Sequence, residues 1–460
     1  MLEDFISEKK QLFDPGAQTE LRAQRNRERA VTLLAGDLVD NTRSDIAGVS
    51  ARVYRGGRWG FSSMAECSGE AAERVLRAAS ENAAFLSAHA PGNLPPLPSV
   101  PGGRVSCEAI GDPAQRVYTD FVRALDDYIV TKYPNLQSRR IRAYEDSMEK
   151  LLCVSDGTDA HTVSPRSYIY LTLTAETKAG APVSRFLALG GEGTFDQNFT
   201  DPAALFPEID RLHAELMQKR EGVYADAGLR TVILGGLLTG MLSHEAVGHT
   251  VEADLVLGGS VAGRCLHKPV ASELVTLSDF AHTAFGARCP LPVFVDDEGV
   301  AAKDVTLIEN GILTGYMHSR ESARRFHMEM RGNARAWLFS DEPLIRMRNT
   351  AIHPGKDKLE DMIASVDDGY YLTATENGQA DTTGEFMFGI TMGYEIKKGK
   401  LGRALLDTTI SGVAFDMLKT VDMVGDTVEW ESAGFCGKKQ PMPVGLGGPA
   451  LRCKVLIGGR

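Results

Sequence analysis

Three pairs of short β-prone runs, each split by a tight turn, constrain this chain more than any other feature. Val49–Met64 is divided by Gly56-Gly57, Leu307–Met317 by Asn310-Gly311, and the run YEIKKGKLG turns around Gly399. Turns of this composition tolerate positive φ, which matches the twist of paired strands and demands antiparallel hairpins. Between residues 139 and 189 the pattern is again strand-like, with turns at SDGTD and TKAGAP, and predicts an antiparallel meander. Helical patterns occupy Glu20–Leu38, Gly69–Ala88, Asp112–Lys132 and Asp201–Glu221. In the third, Val117, Phe121, Leu125 and Ile129 recur at near-helical spacing. Five prolines between Pro91 and Pro101 exclude a helix or inner strand there. Beyond Tyr224–Gly228, strands and glycine turns dominate, with strand patterns at Arg230–Leu234, Arg346–Ile352, Gly369–Ala374 and Glu385–Ile396. No fixed-period repeat is present. The expectation is an α+β protein. Its N-terminal α/β domain, residues 1–224, has an antiparallel or mixed sheet with flanking helices. A β-rich C-terminal domain, residues 225–460, follows.

Composition narrows the function. The chain carries 50 Lys+Arg against 61 Asp+Glu, a formal net charge of −11. Nucleic-acid affinity rests largely on Lys/Arg neutralising phosphates, so a general phosphate-binding surface is not expected. The longest apolar stretch, Thr231–Leu242, is 12 residues, well short of the roughly 20 that span a bilayer. The start of the chain, MLEDFISEKKQLF, lacks the apolar core and cleavage pattern of a signal peptide. The seven cysteines form no CxxC pair, and a reduced, soluble, cytoplasmic protein with no membrane partner is expected.

The segment richest in chemistry is His244-Glu245-Ala246-Val247-Gly248-His249. Two imidazoles and a carboxylate in so short a span suit a zinc-type ion. In the familiar HExxH helix the histidines are four residues apart and share a face. Here they are five apart, and an ideal helix would leave the rings about 140° apart. Chelation of one ion therefore requires a bulged or interrupted helix. A single π-turn is the economical distortion, with Gly248 the place for it.

Catalytic zinc usually takes three protein ligands, leaving a position for water. Glu252 and Asp254 are the nearby choices for a third; they could equally hydrogen-bond the histidines. Most cysteines sit in apolar contexts that suit core packing. Cys436 differs, being flanked by Gly434 and Gly437 and followed by Lys438 and Lys439, whose charge would favour the thiolate that metals bind.

Taken together, HEAVGHTVEAD (His244–Asp254), VDDEGV (Val295–Val300), LIENGILTGYM (Leu307–Met317) and FCGKKQPMPVGLGGPALR (Phe435–Arg452) resemble the TldD/PmbA family of metallopeptidases. The hairpin RVYRGGRWGFSS is similar to that family's amino-terminal domain. Because the histidine motif is present, the resemblance is to the metal-binding, TldD-type members. It implies His244, His249 and Cys436 as ligands of one Zn2+ per chain and Glu245 as the catalytic carboxylate. The family loop commonly reads C-G-K-x-G-Q, whereas Cys436-Gly437-Lys438-Lys439-Gln440 is one residue shorter. The implied activity is hydrolysis of unfolded or leader-type peptides by metal-activated water, with Glu245 as general base. The implied partner is a second copy or a PmbA-like, metal-free chain. Two other readings stand beside it: a non-hydrolytic peptide-binding subunit of such a complex, and a modulator of DNA topology, which the acidic charge balance disfavours.

The remaining features have plainer readings. Asp296-Asp297-Glu298 reads as a turn or solvated edge. His267, His282, His318, His327 and His353 read as surface or packing residues, Arg324-Arg325 and Lys397-Lys398 as solvated charges, and Trp337 and Trp430 as core aromatics.

Overall fold

The computed structural model describes residues 2, 5–89, 94–107 and 111–458. Pro91, in the proline-rich loop, lies outside the described residues. The first elements are β1 (Gln18–Leu34), β2 (Asp37–Arg55), β3 (Arg58–Met64) and helix α1 (Gly69–His89). Next come β4 (Gly103–Val105), α2 (Gln115–Lys132), β5 (Ser138–Val154), β6 (Thr158–Glu176), β7 (Pro182–Glu192) and α3 (Phe206–Arg220). The strands form one sheet in the order β3-β2-β1-β5-β6-β4, with β7 also on β6.

Side chains alternate across a strand, and this sheet uses the two faces differently. Odd-numbered residues of β1, β5 and β6, such as Leu21, Val31, Ile141 and Leu171, enter apolar cores with α1, α2 and α3. Even-numbered residues face the second half of the chain. Arg22 donates to the carbonyls of Leu338 and Asp341 at 3.2 and 2.6 Å, and Gln24 and Asn26 donate to that of Trp337 at 2.5 and 3.0 Å. The Tyr168 hydroxyl reaches the Ser432 carbonyl at 2.6 Å.

The structure corrects the helix expected at Glu20–Leu38: it is β1, a turn and the start of β2. Three of its polar residues, Arg22, Gln24 and Asn26, are alternate residues of a buried strand that donate to the carbonyls just named, while Arg25 and Arg29 pair with Asp45 and Asp112. The break is Ala35-Gly36, with φ of 52° and 95°. This is a hairpin turn whose alanine carries no recognisable turn signal. The three hairpins expected from sequence form, with positive φ at Gly56-Gly57, Asn310-Gly311 and Lys398-Gly399.

The second half begins with β8 (Gly228–Leu234) and helix α4 (Gly236–Met241). Its further strands are β9 (Leu277–Phe280), β10 (Val305–Glu309), β11 (Ile312–Leu313), β12 (Asn349–Ile352), β13 (Asp368–Ala380), β14 (Glu385–Lys397), β15 (Lys400–Ala404), β16 (Thr408–Val413), β17 (Met423–Cys436) and β18 (Met442–Ile457). The long β18 organises them. It pairs with β17, β12, β16 and β8, and the pairings β18-β16-β14-β13-β8-β18 close a five-stranded ring. Val232, Leu234, Phe388, Ile410 and Leu451 of this ring share one core with Leu238, Leu242, Ala246 and Val247, the segment that carries the histidines.

The acidic triplet departs from expectation in one respect. Asp296–Gly299 is a turn, as read, but its three acids are buried against the first sheet. Asp297 pairs with Lys150 at 2.6 Å, and Glu298 pairs with Arg52, also 2.6 Å. Trp337 is buried, as expected of a core aromatic, whereas Arg324 is not simply solvated: it donates to the Tyr54 hydroxyl at 2.7 Å. No helix among the described residues is long and apolar enough to cross a membrane.

Candidate metal centre

Strand β8 ends at Leu234, Gly235 caps the next element, and α4 starts immediately against β18. A Cβ on Gly240 would lie 2.7 Å from the backbone nitrogen of Gly447, so this helix needs a glycine where it meets the strand. At Leu242 the helix widens into a π-turn that runs to Gly248, and a short 3-10 turn, His249–Val251, follows. The His249 amide donates to the His244 carbonyl, an i→i−5 bond that stacks residues five apart instead of four. The two imidazoles consequently meet, with ring centroids 5.2 Å apart and planes at 79°. Gly248 has ordinary helical φ and ψ of −54° and −47°. It is small rather than flexible here: a Cβ would stand 2.0 Å from Sδ of the buried Met347.

Cys436 reaches this place from the end of β17, where it pairs with Met442 of β18. Its Sγ lies 3.2 Å from Nε2 of His249. Donor atoms of His244, His249 and Cys436 all fall within 4.8 Å of one another. The loop after the cysteine is clamped. Buried Arg346 donates to the carbonyls of Cys436, Lys438 and Gln440 at 2.7, 2.8 and 2.7 Å. The Gln440 side chain accepts from the Trp337 amide at 2.7 Å.

Glu252 and Asp254 are turned to other partners. Glu252, fully buried, accepts from Nδ1 of His249 at 2.7 Å, the ring nitrogen not facing Cys436. Lys438 lies 3.1 Å from Glu252 and 3.0 Å from Asp254, and donates to the Ile345 carbonyl at 2.7 Å. Glu245 is partly exposed, with a carboxylate oxygen 3.8 Å from Nε2 of His249. It faces the same nitrogen as the thiol.

The electrostatics follow from these contacts. Burial alone would push the Cys436 thiol up, but the His244 and His249 rings beside it outweigh burial and bring its pKa down to about 4. Burial opposes charge on His249, yet hydrogen bonds to Cys436 and Glu252 raise it to about 10. Burial likewise pushes Glu252 up, and His249 and Lys438 more than reverse this. The sequence reading credits Lys438 with the thiol's acidity. In the fold Lys438 serves the carboxylates, and the imidazoles act on the sulfur.

One observation bears directly on a metal. His244 is 1% exposed and, among the described residues, neither ring nitrogen has a partner of good hydrogen-bond geometry, the Cys436 thiol being its polar neighbour, a costly state for buried polar atoms unless something else binds them. Two imidazoles and a low-pKa thiol are a zinc-type donor set. The sequence reading missed Arg346 and Gln440, which hold the cysteine loop. Neither has a local signal, because each acts across roughly 90 to 100 residues.

Comparison with known proteins gives the family to which the chain is similar. Residues 227–459 match a family model described as the PmbA/TldA metallopeptidase C-terminal domain, and residues 19–83 one described as PmbA/TldA metallopeptidase domain 1. A protein of Methanocaldococcus jannaschii named a metalloprotease is 31% identical over 460 residues, covering 96% of this chain and 97% of its own. A zinc metalloprotease TldD homolog of Saccharolobus solfataricus is 30% identical over 334 residues, 72% of this chain and 73% of that one. A metalloprotease TldD homolog of Buchnera aphidicola is 40% identical over 240 residues, but the match spans only 51% of this chain and 49% of the relative. Among solved structures, TldE from Thermococcus kodakarensis superposes with a TM-score of 0.74 at 17% identity, covering 99% of both chains. A putative modulator of a DNA gyrase from Thermotoga maritima gives 0.74 at 18% identity and 98% coverage of both. At these identities the structural likeness concerns the fold.

Proposed function

The chain belongs to the PmbA/TldD metallopeptidase family, and from that premise we propose that it is a zinc-dependent peptidase whose metal is held by His244, His249 and Cys436. The observation that carries this reading is the buried His244 ring with both nitrogens unpartnered, beside a thiol and a second imidazole. When bound, zinc supplies Lewis acidity toward a peptide carbonyl and lowers the pKa of water to about 7.

The chain's own residues do the rest. Glu245, partly exposed and beside Nε2 of His249, takes the proton of the attacking water and returns it to the leaving amine. Glu252 holds the Nδ1 proton of His249, which fixes the tautomer and leaves Nε2 facing the shared space. Lys438 balances the charge of Glu252 and Asp254. Arg346 keeps Cys436 in register through three carbonyls.

The substrates are unfolded or leader-type peptides in extended form. The working unit is a pair of chains, formed with a second copy or with a metal-free relative of the same fold. The names of the relatives, metalloprotease and zinc metalloprotease, support the activity and the metal.

The test is elemental analysis of protein purified without a metal-affinity tag, together with hydrolysis of an unfolded peptide before and after chelation. About one zinc per chain and chelator-sensitive hydrolysis are expected. No transition metal after zinc supplementation would overturn the reading in favour of a non-hydrolytic peptide-binding subunit.

A further inference from the structure

A cavity of about 260 Å³ lies between the even-numbered face of β5 and β6 and two segments of the second half, Leu291–Asp297 and Met442–Pro443. None of His244, Glu245, His249 and Cys436 lines it. It abuts their scaffold nonetheless, because Met442 and Pro443 stand opposite Cys436 and Phe435 in the β17–β18 pairing. At its outer rim, Arg288 pairs with Glu192 at 2.7 Å, both partly exposed.

The charged groups inside do not balance one another. Lys150 pairs with Asp297 at 2.6 Å. Asp296 is saturated by backbone amides, those of Glu298, Val300 and Ala334 at 3.0, 2.9 and 3.0 Å. Both oxygens of Asp146 are taken by Nε and Nη2 of the buried Arg166. This leaves Nη1 of Arg166 buried with no hydrogen-bond partner among the described residues, its guanidinium 5.0 Å from the Phe435 ring centre. Arg335 is 9% exposed and its terminal nitrogens donate only to carbonyls, those of Met347 at 2.8 Å and Pro443 at 2.9 Å. Among the described residues no carboxylate pairs with it. Burial, with Arg346 nearby, takes the pKa of Arg335 down to about 9 against the longer-range pull of Asp297 and Asp279, as expected of a buried cation with no carboxylate in direct contact.

Two guanidiniums therefore line one cavity, one with a spare donor and one without an anion, while the acids around them are spent. We propose that the cavity is a carboxylate subsite of the peptide site, in which Arg335 receives a carboxylate carried by the substrate and Arg166 turns Nη1, closed to solvent in this structure, toward it. The word substrate rests on the peptidase reading; the binding chemistry does not. The volume suits one residue, lying just below the roughly 300–1,000 Å³ of pockets for drug-sized ligands. The carboxylate is either the peptide's C-terminus or an Asp/Glu side chain, and both present the same planar pair of oxygens to a guanidinium.

The test is calorimetric titration of the zinc-loaded full chain with three probes. These are N-acetylglycylglycine, its C-terminal amide, and N-acetylaspartic acid α-amide, which has only a side-chain carboxylate. At least one acid is expected to bind saturably, the tighter one identifying the source, and the neutral amide at least about tenfold more weakly. Arg335→Gln, and separately the pair Asp146→Asn/Arg166→Gln, which removes both members of a buried ion pair, should each weaken the acid by about tenfold. Zinc content is measured for each variant, and the titration is repeated after chelation. Equal binding of acid and amide, unchanged binding in both variants, or binding that vanishes with the zinc would overturn the subsite. Because binding is read without turnover, the two readings fail separately. A chain that binds the acids but hydrolyses no peptide loses the peptidase reading alone. One that hydrolyses peptides but binds none of the probes loses the subsite alone.

Discussion

Two buried polar clusters in this molecule, the Asp296–Glu298 turn and the His244/His249/Cys436 group, each gather three reactive side chains and have opposite accounts. In the turn, every acid has its partner within the chain: amides for Asp296, Lys150 for Asp297, Arg52 for Glu298. In the histidine group, Nδ1 of His249 is satisfied by Glu252, but both nitrogens of His244 are not. Burial and charge do not separate a joint from a site, and a single unpaired atom does not either, since Nε of Arg22 beside the acids also lacks a partner among the described residues. Convergence does: the closed cluster, the acids, fastens one half of the chain to the other, whereas the open one, the histidine group, gathers three metal-type donors within 4.8 Å of one another.

The sharpest way to break this contrast is at Glu245, which belongs to the open cluster but pairs with no donor needed for folding. Glu245→Gln should lower peptide hydrolysis by about 10²–10⁴-fold while bound zinc stays unchanged; turnover and zinc content on one preparation check both. Asp297→Ala attacks the closed cluster instead. It strands buried Lys150 and should cost about 3–5 kcal/mol of stability, read from the denaturant midpoint, with zinc stoichiometry unaltered. Were that variant to lose zinc at full stability, the two clusters would not be the separate things described here.

Smaller effects sharpen the boundary. Glu252→Gln removes the carboxylate behind His249 and should weaken zinc about 10–100-fold, measured by competition with a chelator of known affinity. Gly248→Ala forces Met347 aside and should cost about 1–3 kcal/mol, read from the thermal midpoint, together with weaker zinc binding because the π-turn must shift.

The last effect concerns pH in the metal-free protein. The Cys436 pKa, depressed to about 4, contributes stability that builds with rising pH and is lost as pH falls through 4. The His249 pKa, raised to about 10, contributes stability fully present below its ordinary value and lost as pH rises through 10. The two describe one thiolate–imidazolium pair, so the thiolate ultraviolet absorbance should persist down to about pH 4 in the absence of metal. Its disappearance near the ordinary thiol range would dissolve the pair.

Much of this was legible in the residues, for identifiable reasons. Five-residue histidine spacing forbids a shared face on an α-helix, so chelation called for a distorted helix, of which the π-turn was the most economical form and the one that the structure has. The hairpins at Gly56-Gly57 and Asn310-Gly311 announce themselves through turn chemistry. Ala35-Gly36 does not, and without that punctuation the alternating polar residues of β1 look like a helix. The acid triplet misleads for a related cause: its burial depends on Arg52 and Lys150, which lie roughly 150 to 250 residues away. Glu252 was within reach as a support for His249, whereas Lys438 bridging to it, and Arg346 clamping the cysteine loop, are products of tertiary contact alone.

The closed ring of strands has a consequence for the order in which the molecule is made. Its seam joins β8, near residue 230, to β18, near residue 455, and Cys436 is likewise far downstream of His249. At about 5–20 residues per second a ribosome needs on the order of 10–40 s to travel between them. Through that interval β8 has an unclosed edge and the histidines have no sulfur. The proposed donor set is therefore completed last, by the same hairpin that shuts the ring, and a nascent chain cannot bring its two histidines and Cys436 together until its own body is nearly complete.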